Sequence, residues 1–142
     1  MRTTSCATRK AQVLVVDDDL TIRGLLSEAL VARGYEVCVA PRVEDARAFF
    51  SAIRPEVVVL DWRLPDGDGL ELLPEIKRRW PDTEVIMMTG YSTPALQAEA
   101  VERGAIGFLN KPFLLDDLIL AVHAACQHRK QGIVNRLQPP VG

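Results

Sequence analysis

Residues 57–69 read VVVLDWRLPDGDG and constrain the fold more than any other stretch of the chain. An apolar run ends in a single acid, Asp61, and a turn rich in proline and glycine follows. Such a run is typical of a strand that is buried on both faces of a parallel sheet. Because ligands bind beyond the carboxyl ends of these strands, Asp61 is a candidate functional residue. The alternative is an aspartate that only starts a turn.

Apolar strands alternate with amphipathic helices along the rest of the chain, and short loops join them. The predicted strands are residues 12–16, 36–39, 56–60, 84–88 and 105–109. The first predicted helix ends near Gly34, and the others span residues 43–53, 68–80, 94–103 and 114–128. This alternation predicts an α/β fold, a doubly wound five-stranded parallel sheet with five flanking helices. Of the few topologies that right-handed crossovers allow, we expect the flavodoxin-like strand order 2-1-3-4-5.

The composition predicts one globular domain in a reducing compartment. Within the 142 residues we expect a loose terminus at 1–10, a folded domain at 11–130, and a tail or the start of a linker at 131–142. No apolar run approaches the ~18 residues of a membrane span, and no signal-peptide core is present. Three cysteines without metal-ligand spacing predict reduced thiols, hence a cytoplasmic protein that contacts no membrane. The formal net charge of -2 predicts no general attraction to nucleic acid.

In the expected strand order, the residues that follow the strands meet at one edge of the sheet. Asp17 and Asp18 follow the first strand and Asp61 follows the third, and neighbouring strands lie about 4.8 Å apart. Thr89 follows the fourth strand and Lys111 the fifth, so both can reach in from the other side. Taken singly, the acids could be helix-start residues, the threonine a turn residue and the lysine a solvated one. Their repeated position after apolar strands favours a shared site.

Three clustered carboxylates repel one another, so a cation must accompany them. Mg²⁺ prefers oxygen ligands and binds through a few carboxylates together with water and phosphate. Lys111 adds a mobile ammonium and Thr89 a hydroxyl, which suit the oxygens of a phosphoryl group. A carboxylate can itself attack phosphorus, and Asp61 is the candidate nucleophile because it stands alone on its strand. Asp17 and Asp18 are then the candidate metal ligands.

Four motifs occur together, in the order VLVVDDD, VVVLDWRLPDGDG, VIMMTG and GAIGFLNKPF. With this order and spacing, residues 12–128 resemble a response-regulator receiver domain of two-component signalling, similar to the chemotaxis regulators. The resemblance implies a signalling receiver and not an enzyme with an external substrate, because such a domain catalyses only its own phosphorylation and dephosphorylation.

The resemblance implies a role for each matching position in the acidic pocket. Asp61 matches the phosphoacceptor, which receives a phosphoryl group from a histidine kinase or a phosphotransfer protein. Asp17, Asp18 and Asp61 match the Mg²⁺ ligands, and the backbone carbonyl of Arg63 would complete the metal shell.

The resemblance also implies a switch. Thr89 and Lys111 match the residues that hold the phosphoryl oxygens, and Phe108 matches an aromatic residue that turns inward when the threonine moves. Phe108 replaces the frequent tyrosine, so it can move but offers no hydroxyl to a partner. The peptide bond before Pro112 is similar to one that is usually cis. The face that would change is built from the fourth helix, the fifth strand and the fifth helix, where we expect partner binding or a homodimer.

Two positions that vary in this family are bulky here. Arg63 lies two residues after the acceptor and Tyr91 two residues after Thr89, so both flank the path of an attacking water. We hypothesise that they shield the aspartyl phosphate and slow its hydrolysis.

Other functions fit the motifs less well. A haloacid-dehalogenase-like phosphohydrolase needs an aspartate where this chain has Arg63, and a flavin module would place phosphate against three acids. The remaining alternative is a degenerate receiver that acts only as a phosphorylation-independent protein-binding or dimerisation module. No output domain is visible after His128, and nothing in the chain reads DNA.

Overall fold

The structure is a computed structural model that describes residues 10–137, and their side chains as far as residue 134. Residues 1–9 of the expected loose terminus lie outside this range, as do residues 138–142 of the expected tail.

A five-stranded parallel sheet forms the centre of the fold. Its strands are β1 (Gln12–Val16), β2 (Glu36–Ala40), β3 (Val57–Asp61), β6 (Glu84–Thr89) and β7 (Ala105–Asn110). The spatial order is β2-β1-β3-β6-β7. A small antiparallel hairpin, β4 (Arg63–Leu64) and β5 (Gly67–Asp68), follows β3 and stands apart from the sheet. Because the hairpin accounts for two of the labels, this order corresponds to the predicted 2-1-3-4-5, and the predicted fold class is confirmed.

Five α-helices flank the sheet. They are α1 (Leu20–Ala32), α2 (Val43–Ala48), α3 (Gly69–Arg79), α4 (Pro94–Glu102) and α5 (Leu115–Leu137). The predicted second helix is shorter than expected, because its end tightens into a 3₁₀ turn over Phe49–Ser51. There the ring of Phe50 packs edge-on against Trp80, with ring centroids 4.6 Å apart.

The predicted end of the last helix, near residue 128, is wrong. Helix α5 continues to Leu137 instead of ending near His128. A single glycine, Gly132, weakens a helix by only about 1 kcal/mol relative to alanine, whereas a proline would break it. The first proline after α5 begins is Pro139, so no residue stops the helix at the predicted place.

The central strands are buried on both faces, as their apolar runs predict. Leu14 and Val16 pack with the side of the sheet that carries α2 and α3. Val13 and Val15 point to the opposite side, where α1 and α5 cover them. Within residues 10–137, no helix is both long and apolar enough to cross a membrane.

Backbone hydrogen bonds fix the strand ends relative to one another. The amide of Asp17 donates to the carbonyl of Ala40 at 3.1 Å, and the amide of Trp62 donates to Met88 at 2.8 Å. The amide of Lys111 donates to the carbonyl of Thr89 at 2.6 Å. The residues that follow the strands are therefore held in one layer at the carboxyl edge.

Candidate functional site at the carboxyl edge of the sheet

Three carboxylates predicted from the ends of two strands, β1 and β3, lie together in the fold. Oxygen atoms of Asp17, Asp18 and Asp61 all lie within 4.8 Å of one another. Asp17 is fully buried and Asp61 is 7% exposed, whereas Asp18 is open to solvent. This pocket therefore offers several hard oxygen donors on one solvent-facing side.

Lys111 lies against two of the three acids. Its Nζ is 3.0 Å from Oδ2 of Asp17 and 3.3 Å from Oδ2 of Asp61. The peptide bond between Lys111 and Pro112 is cis. One ammonium thus contacts two carboxylates of a cluster of three, which leaves the pocket with an excess of negative charge. That donor set fits Mg²⁺, a hard cation that binds carboxylates together with water.

Burial and charge change the titration of this pocket. Burial and the nearby carboxylate of Asp17 raise the pKa of Asp61 to about 6, and Lys111 opposes the rise. Burial by itself lowers the pKa of Lys111, but its hydrogen bond to Asp17 and the charge of Asp61 outweigh burial and leave that pKa raised. The lysine therefore stays an ammonium, while the lone carboxylate on β3 is destabilised in its charged form.

The three consecutive acids after β1 do not all make the same contacts. Oδ1 of Asp17 accepts from the amide of Asp19 at 2.9 Å. The side chain of Asp19 caps α1 by accepting from the amides of Thr21 and Ile22 at 2.9 and 3.2 Å. Asp19 is therefore the N-cap of α1, where an aspartate side chain satisfies amides that the helix leaves without partners.

Thr89 lies at the end of β6, on the other side of Asp61. Its Oγ1 donates to the carbonyl of Tyr91 at 2.9 Å and accepts from the amide of the same residue at 3.1 Å. The hydroxyl is thus engaged by its own loop. A cavity of about 270 Å³ opens here, and its lining residues are Asp61, Trp62, Arg63, Thr89, Gly90 and Tyr91. Arg63 and Tyr91, the two predicted tuning residues, are exposed at its mouth.

Phe108 contacts Trp62, and the sequence pattern did not predict this pair. Its ring packs edge-to-face on Trp62, with centroids 6.0 Å apart. Trp62 is buried and directly follows Asp61 in the chain, whereas Phe108 is only half-buried. Phe108 and the residue that follows Asp61 are therefore in contact, although no local spacing along the chain indicates this pair.

The turn after Asp61 is a short antiparallel hairpin. Residues of the hairpin pair as Arg63 with Asp68 and Leu64 with Gly67. The amide of Gly69 then donates to the carbonyl of Trp62 at 2.6 Å. A Cβ at Gly69 would lie 2.1 Å from the carbonyl oxygen of Asp61, so only glycine fits.

Residues 13–123 match a protein family, the response regulator receiver domain. The chain is 38% identical over 116 residues to the regulatory protein AtoC of Escherichia coli (strain K12). The aligned segment covers 82% of this chain and 25% of AtoC. It therefore spans about a quarter of that relative.

Solved structures give the same result. The CheY-like receiver domain protein of Methanospirillum hungatei JF-1 superposes with a TM-score of 0.83 at 27% identity, over 87% of this chain and 99% of that one. A response regulator from Burkholderia pseudomallei, solved with a phosphorylated aspartic acid, a calcium ion and citrate, superposes with a TM-score of 0.76 at 26% identity, over 93% and 78%. This chain belongs to the response-regulator receiver domain family, because its residues match the family, its fold is shared and the edge of its sheet is acidic.

Proposed function

We propose that Asp61 accepts a phosphoryl group from the phosphohistidine of a histidine kinase or phosphotransfer protein in the cytoplasm. The observation that carries the proposal is the position of Lys111, whose ammonium contacts both Asp17 and Asp61. That arrangement gives a nucleophilic carboxylate, a fixed positive charge and uncompensated metal ligands in one place. The related Burkholderia pseudomallei regulator carries a phosphorylated aspartic acid and a calcium ion, which supports the same chemistry here.

The reaction is a displacement at phosphorus. A carboxylate oxygen of Asp61 forms a P–O bond while the P–N bond of the phosphohistidine breaks, and the imidazole nitrogen keeps the electron pair of that bond. The Lys111 ammonium already contacts Asp61 and is placed to stabilise charge on the phosphoryl oxygens. Asp17, Asp18, Asp61 and the backbone carbonyl of Arg63 would hold Mg²⁺, which supplies the further positive charge that this transfer requires.

Phosphorylation would be converted into a change of surface through Thr89 and Phe108. The Thr89 hydroxyl, which bonds to Tyr91 in this structure, would turn to a phosphoryl oxygen. The Phe108 ring, half-buried against Trp62, would then move further inward. Both residues border the face made by α4, β7 and α5, which we propose as the surface for a downstream protein or a second copy of this chain. This is a two-state element biased by a local charge.

Arg63 and Tyr91 would set the lifetime of the phosphate. Both side chains are exposed at the mouth of the cavity beside Asp61. A water that attacks the aspartyl phosphate must pass between them. Replacing Arg63 with asparagine or Tyr91 with alanine should therefore shorten the lifetime of the phosphorylated protein, and an unchanged lifetime in both variants would refute shielding.

The decisive experiment is intact-mass measurement after incubation with acetyl phosphate, with and without Mg²⁺. We expect addition of one phosphoryl group that requires Mg²⁺ and is absent in Asp61→Asn. Fluorescence of Trp62, next to the acceptor, gives a parallel signal for metal binding. If a Mg²⁺ response occurs without phosphorylation, the same assay is repeated with a phosphorylated histidine kinase domain. Failure of both donors would contradict the proposal and favour a phosphorylation-independent binding module.

A further inference from the structure

Asp66 lies in the loop between the two strands of the hairpin, and it binds an element far away in sequence. Its Oδ1 accepts from the amide of Val43 at 2.8 Å, and its Oδ2 accepts from the amide of Glu44 at 3.0 Å. These are the first two amides of α2, which the helix itself leaves without partners. The hydrogen bonds from the amides of Glu44 and Val43 lower the pKa of Asp66, and the bond from Glu44 has the larger effect. The carboxylate is therefore ionised at neutral pH.

Helix α2 depends on this distant acid for its N-terminal cap. Arg42 occupies the N-cap position, and its side chain makes no capping hydrogen bond to the described residues of the helix. The backbone of Arg42 is nevertheless extended, with φ -142° and ψ 166°, as at an ordinary N-cap. A local serine or aspartate would therefore satisfy the helix, yet the chain uses a residue 23 positions later.

The contact joins the two halves of the acidic pocket. On one side, α2 follows directly from β2, whose last residue, Ala40, accepts the hydrogen bond of the Asp17 amide. On the other side, Asp66 belongs to the hairpin in which Arg63 pairs with Asp68. The hairpin is thus connected to the strand end that carries Asp17 by the Asp66 hydrogen bonds, the short chain segment between Val43 and Ala40, and the hydrogen bond from Asp17 to Ala40.

A second contact between the hairpin and α2 is apolar. A Cβ added to Gly67 would lie 3.1 Å from Cγ2 of Val43, so the backbone of the hairpin runs directly over that side chain. Val43 and Leu64 are both buried in the same core cluster. Packing holds the hairpin against α2, and Asp66 fixes its direction there, because two hydrogen bonds to one carboxylate define an orientation.

We propose that Asp66 is a positioning residue for the metal site: it holds the hairpin so that the carbonyl of Arg63 faces the carboxylates of Asp17, Asp18 and Asp61. This inference rests on the proposed function, in which that carbonyl is a metal ligand. Residues that orient metal ligands without touching the metal typically change metal affinity by 10–100-fold when they are replaced.

The test separates positioning from helix capping. The variants are Asp66→Ala, Asp66→Asn, Arg42→Ser, and the double variant Asp66→Ala with Arg42→Ser. Serine at position 42 restores a local cap for α2 but cannot hold the hairpin. Mg²⁺ affinity is measured by Trp62 fluorescence without any phosphodonor, thermal stability by melting, and hairpin order by hydrogen exchange of residues 63–68.

We expect Asp66→Ala to weaken Mg²⁺ binding about tenfold and to speed exchange in the hairpin. The double variant should recover the melting temperature but not the Mg²⁺ affinity or the hairpin protection. Asp66→Asn keeps one acceptor oxygen and should lose less affinity than alanine, which preserves the test if the alanine variant folds poorly. Arg42→Ser alone should bind Mg²⁺ as the wild type does.

Two results would overturn the inference. One is a Mg²⁺ affinity within twofold of wild type in Asp66→Ala. The other is recovery of that affinity by Arg42→Ser in the double variant, which would make Asp66 only a helix cap. If the wild-type protein itself shows no fluorescence response to Mg²⁺, the metal site of the proposed function is refuted. Hydrogen exchange tests the inference independently: an unchanged exchange rate in the hairpin of Asp66→Ala would show that Asp66 does not position the hairpin.

Discussion

Nζ of Lys111 lies 3.3 Å from Oδ2 of Asp61, although fifty positions separate the two residues in the sequence. The same ammonium contacts Asp17. One lysine at the end of β7 therefore compensates acids at the ends of β1 and β3, and the charge balance of the pocket depends on it.

Lys111→Met should destabilise the metal-free protein at neutral pH. The substitution leaves the carboxylates of Asp17 and Asp61 without their cation, and removing one partner of a largely buried ion pair is destabilising. The fall in melting temperature should shrink as the pH is lowered below about 6 and Asp61, whose pKa is raised to about 6, becomes protonated. Thermal melts between pH 4 and 8 in EDTA test this, with Lys130→Met as the control because Lys130 is exposed. An equal effect of the two substitutions would contradict the prediction.

Asp61→Asn should raise the melting temperature above pH 6 in the absence of metal. The pKa of Asp61 is raised by burial from 3.8 to about 6, so the folded state binds its proton more tightly than the unfolded state does. Ionisation therefore favours unfolding, and this unfavourable contribution grows as the pH rises from 3.8 to about 6 and is constant above that. Below about pH 4 the difference in melting temperature between the wild type and the variant should be smallest. Adding Mg²⁺ at pH 7.5 should stabilise the wild type more than the variant. A melting-temperature difference that does not change with pH would refute the assignment.

Gly69→Ala should destabilise the protein by roughly 3 kcal/mol or more, as expected for overpacking a well-packed site. The added Cβ would lie 2.1 Å from the carbonyl oxygen of Asp61, so the backbone at Asp61 or Gly69 must move. Urea denaturation measures the loss. Gly24→Ala is the matched control, because its Cβ would meet nothing within 4 Å, and alanine should stabilise α1 by about 0.5–1 kcal/mol. Similar effects at both glycines would show that the close approach is not limiting.

Arg103→Ala should lower the free energy of unfolding because α4 is held less firmly. The loss should be smaller when Pro74 is also replaced with alanine. Pro74 cannot donate to the carbonyl of Leu70 within α3, and Nη1 of Arg103 donates to that carbonyl at 3.3 Å instead. Alanine at position 74 restores the helical donor, so the arginine is no longer needed there. A double-mutant cycle by urea denaturation should give a coupling of about 1 kcal/mol, the net value of one hydrogen bond.

Arg103 also contacts Glu99, at 2.7 Å. Glu99→Gln therefore serves as the control that reports this exposed ion pair separately. Its effect should be small, because exposed pairs contribute little. If Arg103→Ala costs the same with and without Pro74, the guanidinium acts only through Glu99.

The sheet could be predicted because its signal is local and repeated. The apolar runs that form β1, β3 and β6 are buried on both faces, and each ends at, or one residue before, the residue that the pattern singled out. Asp17, Asp61, Thr89 and Lys111 were therefore found by position alone. The end of α5 was predicted wrongly, because weak helix-stopping residues leave helix length to be decided by packing.

Contacts between elements that are distant in sequence could not be predicted in this way. Asp66 caps a helix 23 residues earlier, Arg103 completes a hydrogen bond in α3, and Phe108 packs on Trp62. No spacing along the chain encodes these pairs, because each depends on the distance between two elements after they have packed.

The sequence by itself determined the strand order, the edge of the sheet that carries the site, and the identity of the acids, hydroxyl and ammonium there. Hydrophobic periodicity and the chemistry of strand-end residues suffice for that. Only the tertiary structure decided which acids share the lysine, how far burial raises the pKa of Asp61, and what holds the hairpin in place. Those properties depend on distances of a few ångströms between distant residues, and such distances exist only once the chain has folded.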